Sequence, residues 1–145
     1  WDTAVRDGVS AAGHVASLPN VSGVGFVGFC FGGGLAYAVA SQAPTPPRVL
    51  VSYYGSALPQ LVDAGLQVEA ASLHHFGTAD AYIPPDTVEE IRAWVTRGDH
   101  PVQFELYDGA GHAFDNPHPM FSHPEAATSA WDTTVTFLDQ QLPVA

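Results

Sequence analysis

The sequence predicts an α/β fold of three layers, with helices packed on a mostly parallel sheet. Three observations predict it. Short apolar runs recur along the chain with little polar alternation, as strands buried on both faces require. Three of the four runs stop at a glycine or an Asp-Gly pair. Segments of helical periodicity separate the runs, and alternation of this kind implies parallel pairing through crossovers.

The elements follow in order. Val5, Val9, Ala12 and Ala16 share one helical face, weakened by Gly8 and Gly13 at about 1 kcal/mol each. Val24 to Phe29 is the first strand, expected to be buried on both faces. Leu35 to Ser41 continues from a glycine turn as a small-residue helix suited to close packing on a sheet. Val49 to Tyr54 is the second strand and Ala57 to Gly65 is ambiguous, with room for one short helix. Ala71 to Phe76 is the third strand. Asp86-Thr87-Val88-Glu89 is a capping-box pattern, followed by the apolar stripe Val88, Ile91 and Val95. Val102 to Tyr107 alternates more than the others, as an edge strand can. Ser122-His123-Pro124-Glu125 repeats the start signal before Trp131, Val135, Leu138 and Leu142. "APTPP" (Ala43 to Pro47) reads as a loop, so residues 1–145 are expected to form one domain.

Bulk composition narrows the function classes. A chain of 145 residues that is 46% hydrophobic can build a real core. With four arginines, no lysine and fifteen acids, its net charge of −11 disfavours nucleic acid or an anionic membrane as partner. No apolar run is long enough to span a bilayer, and the first residues do not resemble a signal peptide. One cysteine cannot form an internal disulfide, which fits a reducing, cytoplasmic setting. The first residue is Trp, not Met, so the sequence reads as trimmed or partial.

That cysteine stands in Gly28-Phe29-Cys30-Phe31-Gly32-Gly33, a strand-to-helix turn. Taken alone, the stretch fits either a small buried core residue or a nucleophile raised on a sharp turn. A nucleophile elbow needs small residues two before and two after the reactive side chain, where a Cβ would collide. A helix N-terminus lowers a thiol pKa, and the Phe31 N–H would point where an oxyanion forms. The partners decide between the two. Asp80 in "FGTADAYIP" and His112 in "YDGAGHAF" each fall just beyond a predicted strand, as Cys30 does. Reactive groups in such sheets gather at the carboxyl ends of strands. The order nucleophile, acid, base is that of the α/β-hydrolase triad.

With those residues, the chain resembles the dienelactone hydrolase family from about Asp7 to Leu142. The resemblance rests on "GVGFVGFCFGGGLAYAVA", "VSYYG", "HHFGTADAYIP" and "YDGAGHAF". It implies an α/β-hydrolase fold with N-terminal strands missing from this chain, which would leave an apolar sheet edge unpaired. It implies Cys30 as nucleophile, His112 as general base and acid, and Asp80 as orienting carboxylate. Phe31 would supply an oxyanion donor, the second donor belonging to the missing part, and Tyr53, Tyr54 and Phe114 would line the pocket. The implied reaction is hydrolysis of a small-molecule ester or lactone through an acyl-cysteine, with no cofactor. A thioesterase or acyl-transfer enzyme, or a non-catalytic thiol-bearing module, are the rival readings. The family's type member holds a substrate carboxylate with arginines. Here Ala113-Phe114-Asp115-Asn116-Pro117 follows the histidine and no cation occurs after Arg97, so a neutral ester or lactone competes with a dienelactone.

Other groups read as structural. His112, His118 and His123 with Asp115 match no standard zinc spacing. His74 and His75 are adjacent on a strand, face opposite sides and are expected to be packed or hydrogen-bonded. Trp94 and Trp131 read as packing residues. "FGGGLA" lacks the G-x-G-x-x-G dinucleotide pattern. No residue pattern sets an oligomeric state.

Overall fold

The computed structural model describes residues 1–143. Nine elements alternate along it: α1 (Asp2–Ala16), β1 (Gly25–Phe29), α2 (Phe31–Gln42), β2 (Val49–Tyr53), α3 (Leu58–Asp63), β3 (Ala71–Gly77), α4 (Pro85–Val95), β4 (Val102–Tyr107) and α5 (Pro124–Gln141). The four strands are all parallel and lie side by side in chain order, β1-β2-β3-β4. Helices α1 to α4 pack neighbour to neighbour over one face, while α5 alone packs on β2 and β3 from the other.

The two central strands are buried along their whole length, which is why they carry no polar alternation. Leu50, Leu73, Phe76, Ile91, Leu58 and Phe114 are sealed from solvent, each stabilising by roughly 1.5–3 kcal/mol. β4 has β3 as its one neighbour among the described residues and is partly exposed along its length without alternating. β1 is not buried on both faces either: Val27 and Phe29 are 43% and 39% exposed. It has β2 as its one neighbour among the described residues, and α5 covers β2 and β3 instead.

Helix starts differ from the capping patterns. α4 begins at Pro85 with Pro84 as N-cap and no side-chain cap, so the Asp86–Glu89 box is not used. A proline at the first helical position has the required φ and lacks an N–H that would go unbonded there. α5 begins one residue later than the Ser122 pattern implies, with His123 Nδ1 accepting from the Ala126 N–H at 3.3 Å. Its buried face is Ala126, Ala130, Thr134 and Phe137. Trp131 and Val135 are exposed, so Trp131 is not the packing residue expected: Ala126, Ala130 and Thr134 let α5 approach the sheet, Phe137 is buried beside them, and Trp131 and Val135 point away. Trp94 does pack, its indole N–H donating to the Leu66 carbonyl at 2.7 Å.

The adjacent histidines are both fully buried and part to opposite faces. His74 lies with Phe104, whereas His75 bonds Thr134 Oγ1 at 2.9 Å and the Tyr107 hydroxyl at 2.8 Å. Burial keeps both neutral, pushing His74 down to about 4 and His75 to about 3.

Candidate active site

Parallel strands place β1, β2, β3 and β4 so that the loops after them meet at one rim. Cys30 follows β1 directly and caps α2 with φ 52° and ψ −116°, a conformation costly for a residue with a Cβ. Tyr54, after β2, and Ala113, beside His112, also have positive φ. Among the described residues, all three positive-φ residues other than glycine lie at this rim, and strain of this kind tends to cluster at functional sites.

The elbow is held by backbone bonds. The Cys30 N–H donates to the Tyr53 carbonyl at 3.0 Å, and the Cys30 carbonyl accepts from Gly33, Gly34 and Ser56. A Cβ on Gly28 would stand 2.1 Å from the Gly32 carbonyl oxygen. A Cβ on Gly32 would meet nothing within 4 Å, so the expected collision two residues after the cysteine does not occur. The crowding falls on Gly33 instead, against Ser52 and the Tyr53 carbonyl, where α2 lies close on the sheet.

The structure brings Cys30, His112 and Asp80 into one line. His112 Nε2 lies 3.1 Å from Cys30 Sγ, and His112 Nδ1 lies 2.8 Å from Asp80 Oδ2. The other oxygen of Asp80 accepts from the Tyr82 and Ile83 N–H groups at 2.8 and 3.1 Å, so the carboxylate is fixed from both ends. The His112 loop reaches the sheet because Gly77 has no Cβ, which would otherwise stand 2.1 Å from the Ala110 carbonyl oxygen. The Ala79 N–H bonds that same oxygen at 2.9 Å.

These contacts set the charges. The hydrogen bond that His112 donates to Asp80 raises the imidazole to about 9 against the effect of burial, and Cys30 adds to the rise. Burial opposes ionising Cys30, but bonds from His112, the Phe31 N–H and the nearby Ser56 hydroxyl outweigh it and lower the thiol. Burial likewise opposes charge on Asp80 and is outweighed by His112 and the two N–H groups. Each shift favours the charged form of its own group, a thiolate for Cys30 and an imidazolium for His112, and the two titrate as a pair.

The neighbouring aromatics divide. Tyr54 lies against the His112 ring at 4.9 Å and donates its hydroxyl to Asp115 Oδ1. Burial, then the carboxylate, raise the Tyr54 pKa, so it stays a donor. Phe114 is buried behind Tyr54 at 5.4 Å. Tyr53 is buried with its hydroxyl turned to the Ala130 carbonyl and Thr134 on α5, so it supports Tyr54 from below and does not reach open space. Phe31 is exposed with its ring edge-on to Trp1. Ser56 on the Cys30 carbonyl, Tyr82 at 5.1 Å from the His112 ring, and the Asp115–Tyr54 bond were not foreseen as parts of the site. The turn chemistry that brings Tyr54 and Ser56 back toward β1 leaves no periodic signal. No three metal-ligating side chains converge among the described residues.

The family model for the dienelactone hydrolase family matches residues 2–142. The carboxymethylenebutenolidase of Pseudomonas sp. (strain P51) is 31% identical over 152 residues, covering 99% of this chain and 60% of that protein. A dienelactone hydrolase-like promiscuous phosphotriesterase from metagenomic libraries superposes with a TM-score of 0.79 at 22% identity, covering 95% of this chain and 61% of that one. An alpha/beta hydrolase enzyme from a Medee basin deep-sea metagenome library gives 0.75 at 16%, covering 97% and 65%. The chain spans between 50% and 60% of the length of the curated relatives it matches first. With an α/β-hydrolase sheet and a family match over nearly all its residues, the chain belongs to the dienelactone hydrolase family.

Proposed function

We propose that this chain carries the reacting groups of a hydrolase that cleaves an ester or lactone through an acyl-cysteine. The observation that carries the reading is the unbroken line from Cys30 Sγ through the His112 ring to Asp80. The Cys30 thiolate attacks the carbonyl carbon, forming an S–C bond, while the Phe31 N–H receives the developing oxyanion. The C–O bond then breaks, and the departing alkoxide takes the proton from His112 Nε2. Neutral His112 next removes a proton from water, which attacks the thioester and releases the acid and the thiolate. Asp80 keeps the ring oriented and its charge balanced. The names of its relatives support a lactone as one substrate, and the same chemistry serves an open ester.

Mixing the purified protein with an activated ester such as 4-nitrophenyl acetate tests this. The expected result is a burst of nitrophenol equal to the protein concentration, with an acetyl mass on the peptide holding Cys30. Linear release with no acylated peptide would exclude the acyl-cysteine.

The charge around the rim points to uncharged substrates. Asp115 stands beside Tyr54, whose ring faces His112. Arg48 precedes β2 and Arg97 precedes β4, at the opposite end of the sheet; Arg92 lies over Phe104 and Arg6 pairs with Asp7. Coulomb repulsion of order 1 kcal/mol corresponds to about a five-fold preference. A neutral ester is expected to exceed its carboxylate-bearing analogue in kcat/KM by at least that factor, and Asp115→Asn is expected to narrow the ratio. Equal kcat/KM for the two esters in the parent protein would refute the preference.

A further inference from the structure

The His112 ring has a wall as well as two hydrogen-bonding partners, and the wall is Tyr54. Tyr54 follows β2 with a φ of 36°, and its N–H donates to the His75 carbonyl at 2.7 Å. At the far end of its side chain, the hydroxyl donates to Asp115 Oδ1. Phe114 packs edge-to-face on it at 5.4 Å. The ring fixed in this way is buried and lies 4.9 Å from the His112 ring. Tyr82 stands 5.1 Å from the same imidazole but is 79% exposed, so Tyr54 is the wall that is held in place.

We propose that Asp115 is a positioning residue: by fixing the Tyr54 hydroxyl it keeps that ring against His112, and so keeps Nε2 in place to activate water. In the resting site the imidazole is bonded at both ends, to Cys30 Sγ and to Asp80. Acylation turns the sulfur into an uncharged thioester, a poor acceptor, and leaves Asp80 as the bond that holds the ring. An imidazole held through Nδ1 alone swings about that bond, and a packed ring limits the swing. A carboxylate only accepts, so the bond runs from the hydroxyl to Oδ1, and the burial of Tyr54 makes its loss costly. The inference rests on the acyl-cysteine reading and gives Asp115 a second role, apart from its charge.

The test uses 4-nitrophenyl acetate, whose leaving group needs no proton from His112, so the burst reports acylation and the slow phase deacylation. Tyr54→Phe and Asp115→Leu are each expected to slow deacylation about five- to ten-fold while the burst keeps its amplitude. Both kcat and KM then fall while kcat/KM holds, a split that loss of folded protein does not produce. The double variant should be no slower than either single one, because both remove the same bond. Asp115→Asn keeps an acceptor oxygen and is expected to restore deacylation, which separates the hold on Tyr54 from the carboxylate charge. If Asp115→Leu does not fold, Tyr54→Phe against the parent makes the same comparison. A Tyr54→Phe protein that deacylates at the parent rate, or a burst that shrinks in step with turnover, would overturn the role of Asp115 and leave the acyl-cysteine standing. NMR contacts between the rings at positions 54 and 112 need no turnover. They should weaken in Tyr54→Phe and Asp115→Leu and return in Asp115→Asn. A parent with no burst but with those changes would remove the hydrolase reading and leave Asp115 positioning the imidazole, whereas unchanged contacts would overturn the positioning itself.

Discussion

Replacing Cys30 with alanine is expected to lower ester turnover by about four orders of magnitude, to the level left by binding alone. His112→Ala should cost nearly as much, and the double variant no more than either single one, because sulfur and imidazole act as one unit 3.1 Å apart. The comparison needs single-turnover rates with a fixed ester, and undiminished turnover in Cys30→Ala would end the assignment. The pH profile of the parent protein carries the same information. Activity should rise as Cys30 loses its proton, below the thiol's ordinary 9.0, and fall as pH passes about 9, where His112 ceases to be an acid. In Cys30→Ala, the His112 ring loses one of the two partners that raise it. Its NMR titration should therefore shift to lower pH while Asp80 still holds it up.

Two glycines four residues apart are expected to behave oppositely. Gly28→Ala would place a methyl 2.1 Å from the Gly32 carbonyl oxygen, a backbone atom that cannot swing aside. Relieving the overlap means moving the first turn of α2, and with it the Phe31 N–H and the Cys30 carbonyl. A loss of about 3 kcal/mol or more follows, together with collapse of the burst. Gly32→Ala meets open space within a helix, where alanine is favoured over glycine by up to about 1 kcal/mol. Thermal unfolding of the two variants checks the contrast, and a Gly28→Ala protein as stable as its parent would show the elbow to be looser than described.

How much of this was legible depended on which physical signal each residue carried. β2 and β3 are buried on both faces, so their apolar residues need not alternate with polar ones, and that lack of alternation marked them. β1 is likewise apolar without alternation and has a different fate, since composition reports what a strand tolerates and not what stands beside it. In α5, the apolar period of Trp131 and Val135 pointed to the wrong face. Close approach to a sheet selects small side chains, and Ala126, Ala130 and Thr134 weigh little on any hydrophobic scale. Cys30, Asp80 and His112 stood out because each follows a strand in a glycine-marked loop. Ser56 and the Asp115–Tyr54 bond gave no such sign. They depend on a left-handed Tyr54 and on loops crossing from different strands, and neither leaves a spacing to read.

Because sheet order follows chain order, the thiol and the base enter the world at different times. Eighty-two residues separate Cys30 from His112, a gap of on the order of 4 to 16 seconds during synthesis. Throughout that interval the nascent sulfur lacks its imidazole neighbour. On the proposed mechanism, its activation waits until β4 and the His112 loop have docked.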